Sequence, residues 1–313
     1  MRKWVTIVIV IVGLLLLSAY IFLPKKINSI NTVKISCNTN VLNRFVLEEG
    51  KWHDWWPGHV LHDSSNTNKN IYEYNGYQFV ITARKYNSLL VMVSQPDLAV
   101  DGAIFFLPVK DSIQAEWKYA LETNSNPINK INLYRVTKNI DSNLRDILKS
   151  MKVFLESNLK VYGMNIDEVK VKDTILVSTK FSAKEYPATP EIYKVIDSIK
   201  NYISLHNAIE TNPPMLNIWQ DSGLYKTTIA IPVNKEIPEN KVFSIKRMVP
   251  GNILVSEAKG GDYTSTEGLR QMGLYVTDNN FSSPAIPFES LVTNRMQEPD
   301  TSKWITKIYY PVF

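Results

Sequence analysis

Glu289 is a carboxylate set in an otherwise apolar run, Pro287-Phe288-Glu289-Ser290-Leu291. A carboxylate among aromatic rings can attract a cation, or it can hold its proton past the usual range and serve as an acid, base or hydrogen-bond donor. Trp219, Tyr225, Tyr263, Tyr275 and Tyr309 are the rings that could wall such a site. Each alone fits ordinary core or edge packing better, and Glu289 alone also reads as a solvated strand residue. One carboxylate seldom positions both a water and a proton, so turnover would need a partner, for which Tyr263 and Tyr309 are the nominees.

Elsewhere the chemistry is sparse. His53, Asp54, His59, His62 and Asp63 crowd one segment, but Pro57 and Gly58 interrupt it and no helical or strand spacing aligns the donors. A solvated loop is expected there rather than a metal site. Trp52, Trp55 and Trp56 are expected to pack the first helix of the soluble part against a sheet, with a cavity mouth or the bilayer surface as the other roles open to them. His206 follows the apolar residues of a helix, where a cation suits the C-terminal end. The chain carries no nucleophile elbow, phosphate-cradling glycine loop or dinucleotide fingerprint, so no cofactor is expected, and binding is favoured over turnover. The single cysteine, Cys37, permits no intrachain disulfide.

The elements that would position Glu289 come from a repeat. Ile175-Leu176-Val177-Ser178 recurs as Ile253-Leu254-Val255-Ser256, and Ile229-Ala230-Ile231-Pro232-Val233 as Ile308-Tyr309-Tyr310-Pro311-Val312, with offsets of 78 and 79 residues. A repeated supersecondary unit tends to close its apolar face against its own copy, which predicts a pseudo-two-fold cleft between the copies. In the first copy Thr189 and Pro190 open a helix with a stripe of Ile192, Val195, Ile196, Ile199, Tyr202 and Ile203, followed by strands at 216–219 and 226–233. In the second, Thr264 and Glu267 have capping-box spacing, Leu269, Met272, Tyr275 and Val276 give a shorter stripe, and 287–292 and 305–312 are the strands.

Residues 4–23 are uncharged and apolar, with Arg2 and Lys3 before them and Lys25 and Lys26 after. That matches the roughly 20 residues a helix needs to cross the hydrocarbon core, and it exceeds the h-region of a cleaved signal peptide. A single-pass membrane anchor is therefore expected. The flanking charges nearly cancel, and a short basic N-terminus before a long apolar run behaves as a signal anchor, which favours an extracytoplasmic body. Four of the 35 cations flank this run, so the formal charge of +5 falls to +1 for the rest. A near-neutral body has no electrostatic footprint for nucleic acid.

Between anchor and repeat, Lys26 to Asn31 reads as a polar spacer, Val33 and Ile35 as a strand, and Val41 to Val46 as a short helix stopped by Gly50. Asn75-Gly76 predicts a tight hairpin. Strands follow at 89–93, 103–109 and 113–122, the last alternating Ile113, Ala115, Trp117, Tyr119 and Leu121 with polar neighbours. Ile131 to Val136 reads as one more strand, and Leu144, Ile147, Leu148, Met151, Phe154 and Leu155 as a helix ending near Gly163. This order, with the Lys51-Trp52 to Trp55-Trp56-Pro57 segment, resembles the START-like, helix-grip family called SRPBCC or polyketide-cyclase-like. The resemblance implies a sheet wrapped on the long helix around a hydrophobic ligand cavity.

The repeat, through Gly260-Gly261-Asp262-Tyr263, Pro287-Phe288-Glu289-Ser290-Leu291 and Trp304-Ile305-Thr306-Lys307-Ile308-Tyr309-Tyr310-Pro311-Val312, resembles the GyrI-like domain, also called the AraC- or BmrR-type effector-binding domain. That resemblance implies binding of lipophilic molecules between the copies, with Glu289 as the family's acid; a few members are hydrolases. Leu291 stands where the family has tyrosine, which weakens a tyrosine-assisted reaction. The expected fold class is α+β: a transmembrane helix (1–26), a helix-grip antiparallel sheet domain (27–165), and a duplicated β-α-β-β domain of pseudo-two-fold symmetry (166–313, copies 171–236 and 242–313). The expected function is binding of a lipophilic, cationic or hydrogen-bond-donating small molecule. The alternatives are a hydrolase or cyclase using Glu289, and an interaction protein whose cavities are filled by its own side chains.

Overall fold

The computed structural model describes residues 2–48, 50–62, 70–96, 98–172, 175–283 and 285–313. The chain is a mixed α+β protein of two compact units, Met1–Ser157 and Asn158–Phe313, each built on one antiparallel sheet.

The first unit opens with α1 (Arg2–Phe22), whose apolar side chains are exposed nearly throughout, and the short α2 (Thr39–Leu42) follows its first strand. Its segment Lys3–Phe22 is long and apolar enough to cross a membrane. Lys130 donates from Nζ to the Tyr20 carbonyl at 2.7 Å, which ties the end of α1 to the start of α3 (Pro127–Leu155). The sheet runs β1 (Lys26–Ile35), β7 (Ser112–Glu122), β6 (Leu98–Val109), β5 (Ser88–Gln95), β4 (Tyr77–Lys85), β3 (Asn70–Tyr74), β2 (His59–His62). The residues expected as a polar spacer, Lys26 to Asn31, are instead the first half of β1, held to β7 from Lys26 opposite Glu122 onward. Asn75 and Gly76 take φ of 49° and 77° between paired Tyr74 and Tyr77, the positive values that a two-residue hairpin turn requires.

Ile131 to Val136 is not a strand but part of α3. Asn126 caps that helix by accepting from the Ile128 N–H at 2.9 Å, and Pro127 occupies its first turn. Its buried stripe passes through Lys130, Leu133, Thr137 and Ile140 into Leu144 and Ile147. A short apolar run cannot be assigned by period alone, and here the cap decides it. Under α3, Asp141 accepts from Ser29 (2.5 Å), Asn31 (2.9 Å) and Tyr119 (2.9 Å), so the helix is fixed to β1 and β7 by a polar seam. Burial and the neighbouring Asp141 carboxylate raise the Tyr119 phenol well above its ordinary range.

The tryptophan segment is buried. All three indole N–H groups donate to backbone carbonyls: Trp52 to Val46 (2.8 Å), Trp55 to Phe45 (2.9 Å) and Trp56 to Glu73 (3.0 Å). Rings continue across the inner face of the sheet, Trp56 to Phe79 at 5.2 Å and Phe79 to Trp117 at 6.0 Å. Gly58 lets β2 reach this cluster, because a Cβ there would stand 1.9 Å from the Glu73 carbonyl oxygen that Trp56 uses. Gly58→Ala is expected to cost about 1 to 3 kcal/mol by forcing backbone apart, measured as a lower denaturation midpoint with unchanged m-value. Of the histidine cluster, His53 lies in a single 3-10 turn and accompanies Asp54 at 2.9 Å, while His59 and His62 fall on β2. Asp63 lies outside the described residues. Among the described residues no group of three or more His, Cys, Asp or Glu is placed to hold a metal.

The second unit begins with α4 (Asn158–Tyr162), which ends at Gly163 with φ +75°. Its sheet order is β12 (Ser244–Arg247), β9 (Ile175–Ala183), β11 (Leu224–Pro232), β10 (Met215–Asp221), β14 (Phe288–Leu291), β15 (Ile305–Val312), β13 (Asn252–Lys259), β8 (Asp167–Lys170). The order reads alike from both edges toward β10 and β14, and the repeated tetrapeptides lie on β9 and β13 at matching places. The short leading strands are exchanged: β8, which precedes β9, pairs with β13, and β12, which precedes β13, pairs with β9. Helices α5 (Thr189–Leu205) and α6 (Asp262–Asp278) pack on β9 with β11 and on β13 with β15, respectively. Both have 17 residues, so the second helix is not the shorter one expected. Its buried side runs on through Ser265 and Gly268, small residues that a count of apolar side chains leaves out, and Gly268 admits the Ile308 side chain.

Candidate functional site

Strand alternation divides the residues of the second unit between two faces. Leu216 on β10, Ile229 and Ile231 on β11, and Leu291 on β14 face the helices in one core with Ile192, Ile196 and Ile199 of α5. Glu289 is two residues from Leu291 and therefore shares that face, over the junction of β10 and β14, where it pairs with Leu216 and with Ile308.

Glu289 is 7% exposed. Burial raises its pKa above the ordinary carboxylate value; hydrogen bonding to Ser265 and the charge of Arg295 oppose that rise, and Asp262 adds to it. Arg295 dominates the surroundings. Its guanidinium stands 3.8 Å from the Glu289 carboxylate, donates to Asp262 at 2.5 Å and to the Thr306 hydroxyl at 3.0 Å, and lies 4.8 Å over the Trp304 ring. The loop that delivers Arg295 is pinned to α5, because Tyr193 donates its hydroxyl proton to the Thr293 carbonyl and accepts from the Arg295 N–H at 2.9 Å. A carboxylate, an aromatic face and a buried cation are thus assembled from β14, β15, the start of α6 and one loop.

Tyr186, in the turn before α5, meets Tyr225 edge-on at 5.6 Å. Burial pushes its phenol up to about 12, with Glu289 and then Asp262 adding to the rise. Tyr186 thus feels the Glu289 charge, and Tyr225 packs behind it on β11.

The other nominated rings lie elsewhere. Tyr309 stacks on Phe288 at 5.0 Å on the opposite face of the sheet, and Trp219 alternates with Met215 and Asn217 onto that same face. Tyr263 is 82% exposed on the first turn of α6. Tyr275 packs edge-on against Tyr162 at 5.2 Å, away from Glu289. Of the five, Tyr225 alone lies on the helix-facing side of the sheet with Glu289, in contact with Tyr186 rather than with the carboxylate, and neither tyrosine nominated as its proton partner faces it. Arg295, Ser265 and Tyr186 carry no mark in the sequence as site residues, and Asp262, Trp304 and Thr306 stand out there only as members of the repeat motifs. Tyr186-Pro187 just ahead of a helix was the one local signal; the others come together only through the sheet.

The opposite face carries a hollow of ≈ 500 Å³ lined by β9, β10, β11, β14 and the chain ends around them, including Met215, Ala230 and Phe288. Glu289 is not among its lining residues. A smaller hollow of ≈ 360 Å³ lies beside α5, with Lys200 and Glu210 paired at 3.1 Å on its wall.

No protein-family model matches the chain, and no curated protein matches it. Among solved structures, the C-terminal domain of EcmrR is 15% identical with a TM-score of 0.42, over 48% of this chain and 98% of that one. SAV2435 bound to tetraphenylphosphonium is 15% identical with a TM-score of 0.33, over 48% and 94%. A hydrolase from Listeria innocua is 10% identical with a TM-score of 0.36, over 47% and 91%.

Proposed function

We propose that the second unit is a duplicated GyrI-like effector-binding module that takes a lipophilic small molecule between α5 and α6, with Glu289 reading a hydrogen-bond-donating end. The observation that carries this reading is a buried carboxylate with a raised pKa, hydrogen-bonded to Ser265 of α6 and facing the Arg295 guanidinium, with a charge that is felt at the Tyr186 phenol. Buried ionisable groups held off their usual pKa in a cleft are the kind that bind or react. The strand order and the exchanged leading strands support the duplication. A free cation would compete with Arg295, which already sits between the carboxylates and Trp304, so the cleft favours a neutral donor over a full cation. The first unit, with its sheet packed on α3, is proposed as a START-like domain.

The test is thermal stabilisation of the full chain in amphipol by lipophilic primary amides and by tetraphenylphosphonium. Amide-induced stabilisation that falls at least tenfold in apparent affinity in Glu289→Gln is expected, with a weaker effect of the phosphonium. Stabilisation indifferent to that substitution would remove Glu289 from the site.

Residues 4–23 are proposed as a single-pass anchor with the body extracytoplasmic. Tyr86→Cys, at a hairpin tip that is 98% exposed, is expected to react with a membrane-impermeant maleimide in intact cells. Background from Cys37 is expected to be small, because burial, with Glu156 adding to it, pushes its thiol up to about 12. Labelling only after lysis would place the body inside.

A further inference from the structure

We propose that the helix-free face of the second sheet holds another binding site, for a single-chain amphiphile with an anionic head. The hollow there has a volume of ≈ 500 Å³, within the range of about 300 to 1,000 Å³ typical of small-molecule sites. Its floor is apolar, from Met215 and Ala230 on the sheet to Met248, Ile286, Phe288 and Phe313 around it. Ile286 and Phe313 are exposed at the rim, as is Val249, so apolar surface faces solvent where nothing in the chain covers it among the described residues.

The charge on this hollow has one sign. Among the described residues, Lys180, Lys246 and Arg247 line it and no Asp or Glu does. Arg247 is engaged by Glu236 outside the lining, while Lys180 and Lys246 have no carboxylate partner among the described residues. Both are exposed, so their ammonium groups keep their hydration until a ligand head arrives. They belong to adjacent strands: β12 runs beside β9, with Lys246 opposite Leu176, and Lys180 lies four residues along β9 from Leu176. An apolar floor edged by two lysines that have no carboxylate partner among the described residues matches a chain with a carboxylate or phosphate at one end, and it disfavours a lipophilic cation. Glu289 projects to the other face, so this site is independent of the one proposed above.

The measurement is calorimetric titration of the full chain in amphipol with dodecanoate, dodecyl phosphate, dodecanol and dodecylamine. Saturable binding of the two anions is expected, at least tenfold tighter than dodecylamine, with dodecanol between them. Affinity should rise by roughly fourfold for each methylene from octanoate to dodecanoate if the chain enters the hollow. Lys180→Gln with Lys246→Gln should weaken both anions about tenfold or more and leave dodecanol unchanged. Ala230→Phe, which fills the floor, should abolish binding of all four, with circular dichroism and melting temperature as the check on folding. Glu289→Gln should leave anion binding intact, which separates this site from the Glu289 cleft. Equal affinity for the amine and the carboxylate, or anion binding indifferent to the lysine pair, would overturn the anionic assignment. Undiminished binding in a folded Ala230→Phe protein would overturn the location. If dodecyl phosphate alone binds, the natural head is a phosphate monoester; if dodecanoate alone, a fatty acid.

Discussion

Replacing Arg295 with methionine is expected to cost about 3 to 5 kcal/mol at neutral pH, because it leaves a buried carboxylate without its counter-charge. Arg295 is almost fully buried and holds Glu289, Asp262 and Thr306 together under Trp304. Methionine retains much of the volume but none of the charge or hydrogen bonds. The loss should also depend on pH. Arg295 lowers the pKa of Glu289, so its removal raises further a value already above the ordinary 4.5. An acid whose folded pKa exceeds its unfolded value contributes stability that is complete below the unfolded value and is lost as pH rises through the folded one. The variant should therefore recover part of its deficit between pH 7 and pH 5, a recovery the parent shows less. Adding Glu289→Gln should restore more than 1 kcal/mol at pH 7, by the logic of a double-mutant cycle. A deficit equal at both pH values and unrelieved by the second substitution would mean that Arg295 acts through packing on Trp304 alone.

Trp52→Ala is expected to cost about 3 to 5 kcal/mol in the first unit, the usual range for deleting a large aromatic from a core. Trp52 is 0% exposed and meets Trp55 at 4.8 Å, Trp56 at 5.6 Å and Tyr72 at 5.1 Å. Its indole N–H also closes the turn onto Val46, which would lose its donor. The decrease should appear in the unfolding of the first unit and leave the second unchanged, which calorimetry of the full chain can separate. A loss under 1 kcal/mol would show that the neighbouring rings collapse into the space. Trp52→Phe, which keeps most of the apolar volume but not the donor, should lie between the two and divide cavity from hydrogen bond.

Local signals carried the elements well wherever chemistry and geometry lie within a few residues. Asn75-Gly76 specified its turn, the alternation over Ile113 to Leu121 specified β7, and the isoleucine stripe specified α5. The failures have local causes too. The run Ile131 to Val136 was too short to separate strand from helix without its cap at Asn126, and the first turns of α6 bury Ser265 and Gly268, which carry no apolar side chain to mark the stripe. The short strands β8 and β12 left no readable mark, because each is completed by pairing with a strand more than 60 residues away.

The sequence by itself determined the apolar N-terminal helix, most of the longer strands and helices behind it, the recurring segments on β9 and β13, and Glu289 as an unusual carboxylate on a strand. These follow from composition, period and turn chemistry, which act over short stretches of chain. Only the tertiary structure decided that Glu289 lies beside Arg295 rather than open space, that Tyr309 and Trp219 face away from it, and that the apolar hollow lies behind the sheet with lysines at its rim. Side-chain direction alternates along a strand, but which face meets the helices is set by pairing between distant strands. Charge compensation inside a core likewise depends on which loops the packing brings together.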